Sequence, residues 1–84
     1  MRVTVIHFGV LRDLLGEKSR LLELAEGATV RDVLRVSSSA SNESGIWKAL
    51  AVAVNREYAG MDTLLKDGDE VALLPPVSGG RDEA

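Results

Sequence analysis

The residues best suited to chemistry lie near the end of the chain, in "PPVSGG" (Pro75 to Gly80), followed by "RDEA" (Arg81 to Ala84). A glycine carboxylate is sterically open. Once adenylated, it can be attacked by a sulfur or nitrogen nucleophile with no side chain in the way. Extended, the six residues from Pro75 to Gly80 reach roughly 20 Å. The two prolines stiffen the base in polyproline geometry, which lowers the ordering cost of entering a partner. Gly79 and Gly80 would form a tip thin enough for a tunnel that excludes side chains. The same residues also describe a disordered end or the start of a linker, and composition alone leaves both readings open.

No other constellation competes. With zero cysteines and one histidine among 84 residues, the chain has no thiol nucleophile and no thiolate metal site, and the metal set is expected to be none. A Ser/His/Asp set could be assembled only from His7 and a loop serine, which is not a triad. His7 reads as a strand-face residue packing by its ring, and Trp47 as an anchor at the edge of a core. Glu17, Glu23, Glu26 and Asp62 are spread as on a solvated surface, and "GDE" (Gly68 to Glu70) is turn chemistry. The net charge of -3 and pI near 5.0 argue against nucleic acid, which calls for a basic face. "RVTVIHF" is too short and too alternating for a signal peptide, and no apolar run reaches membrane-spanning length. A soluble, cytoplasmic chain that is no enzyme on its own is expected.

The elements that would position the tail follow from periodicity. "RVTVIHF" (Arg2 to Phe8) is a β-branched strand, with Val3, Val5 and His7 on one face and Thr4, Ile6 and Phe8 on the other. Val10, Leu11, Leu14 and Leu15 predict a short helix stopped by Gly16. "RLLELAEG" (Arg20 to Gly27) predicts a second strand. Thr29 caps a main helix with Asp32 three residues on, a weak capping box, and Val30, Val33 and Leu34 form its buried stripe. "SSSASNES" (Ser37 to Ser44) reads as a solvated connector. "ALAVAVN" (Ala49 to Asn55) is an apolar strand turning at Asn55-Arg56 into a short "EYA" segment. Asp67-Gly68 is a tight turn into a last strand, Glu70 to Leu74, which Pro75-Pro76 terminate.

This order predicts an α+β chain, a mixed sheet of the β-grasp, ubiquitin-like type with one main helix packed across one face. Residues 1–76 form the domain and 77–84 a flexible C-terminal tail. The last strand is expected beside the first, so that the tail leaves from the middle of the sheet. Apolar residues fall on both faces of "VTVIHF" and "EVALL", and one helix covers only one of them. The other face is expected to dock a partner.

"FGVLRDLLG" (Phe8 to Gly16), "AVN" (Ala53 to Asn55) and "LKDGDEVALLPPVSGG" (Leu65 to Gly80) together resemble the small subunit of molybdopterin synthase, in the MoaD/ThiS group of ubiquitin-like sulfur carriers. The likeness runs from Met1 to Gly80, and the "LRDLLG" helix favours the molybdenum branch over the thiazole branch. The resemblance implies that an E1-like adenylating enzyme uses ATP to activate Gly80, which then becomes a thiocarboxylate. Val77, Ser78, Gly79 and Gly80 would insert into the large synthase subunit, in an expected heterotetramer. Two such sulfurs would convert a pterin precursor into molybdopterin. No cofactor is expected on this chain itself. The departure is "RDEA", since the family pattern ends at the second glycine. Either a processing peptidase removes Arg81 to Ala84, as precursors of ubiquitin-like proteins are trimmed, or this copy does not donate sulfur as written. A carrier for another sulfur pathway (thiazole or tungsten cofactor), a ubiquitin-like protein modifier and a β-grasp interaction module are the alternatives.

Overall fold

The computed structural model describes residues 1–38, 47 and 49–75. The elements run β1 (Arg2–His7), α1 (Val10–Leu15), β2 (Ser19–Glu23), α2 (Val30–Ser38), β3 (Ala51–Val54), β4 (Glu57–Tyr58) and β5 (Glu70–Leu74). The five strands form one mixed sheet in the order β2-β1-β5-β3-β4. β1 and β5 are parallel, and the other neighbours are antiparallel. This is the predicted β-grasp arrangement, with the last strand beside the first.

Alternation along the strands divides the sheet into two faces. Val5 and His7 of β1, which share a face with Val3, lie in register with Val71 and Leu73 of β5, which in turn face Val54 and Val52 of β3. Val3, Val5, Val71 and Leu73 are fully buried, as are Val30 and Val33 of α2 and Leu11 of α1. Trp47 joins this cluster, as its reading as a core anchor required. Burying such a branched side chain stabilises by about 1.5–3 kcal/mol.

Two boundaries differ from the pattern. α2 continues through Ser37 and Ser38 rather than giving way to a connector, and Ser37 is buried at 3% exposure. Ser37 lies seven residues after Val30, so it occupies the next position on the buried stripe, and tertiary packing overrides the low helix propensity of serine. The remainder of that run, 39–44, lies outside the described residues. β2 begins at Ser19 and ends at Glu23, because Glu26-Gly27 already turn, with Gly27 at φ +85°.

The turns carry the expected chemistry. Asn55 and Arg56 both have positive φ, 52° and 73°, the requirement of a two-residue type I′ hairpin between β3 and β4. The Asn55 amide donates to Asp69 Oδ1 at 2.9 Å, and its oxygen accepts the Glu70 N–H at 3.0 Å. Asp67 Oδ1 accepts the Arg2 N–H at 2.7 Å. The acidic turn is therefore a clamp joining β1, β3 and β5.

At the start of α2, Asp32 Oδ2 accepts the Thr29 backbone N–H at 2.9 Å. The N–H groups of Val30 and Arg31 donate to the carbonyls of Thr63 and Met61, so the first turn is satisfied by the 61–63 loop. The Asp32 carboxyl is held below its usual range, first by that backbone hydrogen bond, then by the Thr29 hydroxyl, Arg35 and Arg31, with desolvation opposing. A folded-state value below the unfolded one contributes stability that is present above the unfolded carboxylate value and lost as pH falls through the folded one. Replacing Asp32→Asn should lower the Tm near neutral pH and narrow the gap to the wild type below about pH 4. Thermal melts across that range check it; a constant gap would contradict the assignment.

Candidate functional site

The predicted tail residues Val77, Ser78, Gly79 and Gly80 lie outside the described residues, as do Pro76 and Arg81 to Ala84. What the structure places is the base from which they leave. β5 is the middle strand of the sheet, bonded on one side to β1 and on the other to β3. Its last core residue, Leu73, pairs with His7 and Val52, and Leu74 pairs with Ala51. Pro75 therefore leaves the most constrained strand, and whatever follows starts from a fixed point and direction.

Gly9 sets that point from the other side. It follows β1 with φ 57° and ψ −133°, a conformation open to few residues besides glycine. A Cβ there would lie 3.1 Å from Pro75 Cγ. The close approach of the β1–α1 junction to the proline ring thus depends on the missing side chain. Phe8 N–H donates to the Leu73 carbonyl at 3.4 Å, and the carbonyls of Phe8 and Gly9 accept the N–H groups of Leu11 and Arg12, starting α1. Leu11 then inserts into the core, while Gly16 closes the helix in the left-handed region with its N–H on the Arg12 carbonyl. Sequence reasoning used Gly9 only as the end of a strand. Its partner lies 66 positions away, and nothing local signals it.

Around the base the surface is apolar. Phe8, Val10 and Leu14 are 45%, 46% and 41% exposed, with Val10 and Leu14 one helical turn apart. The face of the sheet opposite the core carries a cross-strand row of Ile6, Ala72, Ala53 and Tyr58, with Leu74 beside it. Ile6, Ala72 and Leu74 are half-buried, Ala53 is buried and Tyr58 is exposed. The uncovered apolar face expected from the pattern is present, continuous with the end where Pro75 leaves.

The other candidates resolve as structure. His7 is 3% exposed, and its Nδ1 lies 2.9 Å from the Glu17 carbonyl oxygen. A carbonyl only accepts, so Nδ1 carries a proton and donates, pinning the α1–β2 loop. An open cleft of about 390 Å³ is lined by Val54, Asn55, Tyr58, Lys66 and Asp69 at the end of β5 remote from Pro75. The polar groups of Asn55 and Asp69 are engaged with one another and with backbone. Among the described residues no group of acidic or histidine side chains could hold a metal ion. No described helix is long and apolar enough to cross a membrane.

The family model described as the ThiS family matches residues 5–80. The molybdopterin synthase sulfur carrier subunit of Chlamydomonas reinhardtii is 35% identical over 95% of this chain and 100% of its own length. The complex of subunits 1 and 2 of molybdopterin-converting factor from Helicobacter pylori contains a chain that superimposes with a TM-score of 0.61. That chain is 31% identical, over 95% of this chain and 100% of the other. The small archaeal modifier protein 1 of Methanosarcina acetivorans gives a TM-score of 0.76 at 32% identity, over 94% of this chain and 96% of the other.

The seating of Pro75 against Gly9 has a measurable consequence. Gly9→Ala should cost about 1–3 kcal/mol, from a strained φ together with a displaced proline. Gly27, also at positive φ but with nothing within 4 Å, is the control, since Gly27→Ala bears the strain alone. Urea denaturation of both variants separates the two contributions. Equal losses would mean that the contact with Pro75 does not matter.

Proposed function

The chain belongs to the ThiS family, and from that premise we propose that it is the sulfur-carrier small subunit of molybdopterin synthase. The observation that carries this reading is the departure of Pro75, the first residue of the Pro-Pro-Val-Ser-Gly-Gly sequence, from the central strand, beside a seat that only glycine allows at position 9. A carrier must present a reactive end at a defined reach from its docking surface. Here the rigid sheet fixes the origin, and about 20 Å of extended chain supplies the reach.

In this reading the Gly80 carboxylate attacks the α-phosphorus of ATP on an E1-like adenylating enzyme, and pyrophosphate leaves. The outer sulfur of a persulfide donor then displaces AMP to give an acyl disulfide, and a thiol of the donor system cleaves its S–S bond, leaving the thiocarboxylate and a new disulfide. Val77 to Gly80 enter the large subunit, where that sulfur passes to the pterin precursor. The chain contains no cysteine, so the backbone end is its only place to hold transferable sulfur. Docking uses the apolar face through Ile6, Ala72 and Leu74 and the rim of Phe8, Val10 and Leu14. A carrier for a thiazole or tungsten pathway would use the same end. The similarity to small archaeal modifier proteins favours a second reading, attachment to other proteins through Gly80.

Ile6→Asp places a charge on the docking face outside the core. It should weaken binding to the large subunit about tenfold or more while leaving the circular dichroism spectrum unchanged. Titration calorimetry measures this, and undiminished affinity would remove that face from the interface.

Gly80 is followed by Arg81, so its carbonyl is locked in an amide and cannot be adenylated until the bond is cut. Displacing a reacting atom by even an ångström costs on the order of a hundredfold in rate, and a carboxylate at Ala84 is displaced much further. A chain ending at Gly80 should form the thiocarboxylate with its activating enzyme and sulfur donor, read by intact mass. It should support molybdopterin formation with the large subunit. The chain through Ala84 should do neither until a peptidase is added. Equal rates from a chain shown by mass to retain Ala84 would overturn the requirement for trimming. Activated Gly80 found in isopeptide linkage to lysines would select the modifier reading.

A further inference from the structure

β2 is the longer open edge of the sheet, and its free side is self-complementary. Among the described residues no strand lies beyond it, whereas the opposite edge, β4, has only two residues. The ladder to β1 is bounded by His7 N–H donating to the Lys18 carbonyl and Leu24 N–H donating to the Met1 carbonyl, both at 2.8 Å. Hydrogen-bonded residues alternate along an antiparallel strand. Arg20 and Leu22 therefore turn their backbone groups to β1, while Ser19, Leu21 and Glu23 turn theirs outward. A row of outward N–H and C=O groups is a template for another strand. Leu21, at its centre, is 60% exposed and stands beside Thr4 on the face away from the core.

Charge is polarised along this edge. Lys18 and Arg20 lie at its start, where Glu17 pairs with Arg20, and Glu23 and Glu26 lie at and just beyond its end, where Arg2 of β1 pairs with Glu23 at 3.3 Å. A parallel copy would set like charges side by side, whereas an antiparallel copy sets the basic half of each against the acidic half of the other. We propose that the β2 edge binds a second copy of this chain, strand pairing antiparallel with strand about a two-fold axis at Leu21.

In that register Leu21 faces its own counterpart, and Ser19 faces Glu23 of the second copy, so every outward backbone group is used. A slip of two residues would place Glu23 in one direction, or Ser19 in the other, against Leu21 and forfeit the leucine pair. On the other face the stem of Arg20 covers Leu22 of the second copy, and its charge is already met by Glu17 at 3.2 Å. The two sheets become one continuous sheet. β1 separates β2 from β5, so Pro75 stays clear of the contact, and the pairing is independent of the sulfur-carrier reading. A contact of one strand with one strand is small, which makes the dimer weak and concentration-dependent.

Sedimentation equilibrium of the full chain from about 10 µM to about 1 mM covers the affinities small interfaces give. The mass should rise from 9.0 kDa toward twice that value. Leu21→Lys, at an exposed position, should keep the chain monomeric throughout, because two ammonium groups would then meet on the axis. Ser19→Lys, opposite Glu23, should tighten the dimer several-fold, and Ser19→Glu should loosen it by a similar factor. Circular dichroism verifies that each variant folds. A single 9.0 kDa species at the highest concentration, a dimer indifferent to Leu21→Lys, or Ser19 variants that shift it in the same direction would overturn the proposal.

Discussion

The parallel pairing of β1 with β5 is the contact on which the rest of the molecule depends. It joins Val5 to Val71 and His7 to Leu73, residues some 66 positions apart, and closes the chain on itself at the centre of the sheet. Every other neighbour relation is built outward from it. β2 returns from β1 through a short helix, and β3 lies against β5 with β4 folded back on it through a two-residue turn. Closing so long a loop is costly in chain entropy. The fully buried Val3, Val5, Val71 and Leu73 offset that cost, together with Val30 and Val33 of α2 laid over them.

Placing β5 in the middle also decides what its end can do. A strand bonded on both sides has little freedom of direction, so the residue after it inherits a fixed origin. Pro75 adds a fixed φ of its own, and Gly9 lets the β1–α1 junction close against the proline ring. Rigidity therefore extends along β5 as far as Pro75, the last described residue.

Much of this was legible in the residues. The strand-forming residues of "VTVIHF" and "EVALL", the Thr29/Asp32 pair and the Asp67-Gly68 turn each encode a local preference that the fold retains. The hairpin at Asn55-Arg56 was legible in position, though positive φ at an arginine is not something its type announces. What escaped were features owned by tertiary contact. Ser37 looks like a loop residue until its place on the Val30/Val33 stripe is known. Gly9 looks like the end of a strand until Pro75 arrives beside it. Val10 and Leu14 of the apolar rim share α1 with buried Leu11, and only packing distinguishes the sides.

The acidic turn illustrates how a run of charged residues can serve structure alone. "KDGDE" reads as turn chemistry, and both of its aspartates are engaged in the turn. Asp67 receives the Arg2 N–H, and Asp69 receives both the Asn55 amide and the Lys66 N–H. These bonds tie the start of β5 to the start of β1 and to the end of β3. The clamp at one end of β5 sets the register of the parallel pair. Register in turn decides that Leu73 faces the core while Ala72 and Leu74 face outward, since a slip of one residue would exchange the faces. The position of Pro75 over Gly9 is therefore determined partly at the opposite end of the strand. A run of turn residues thus helps to fix where the chain leaves the sheet.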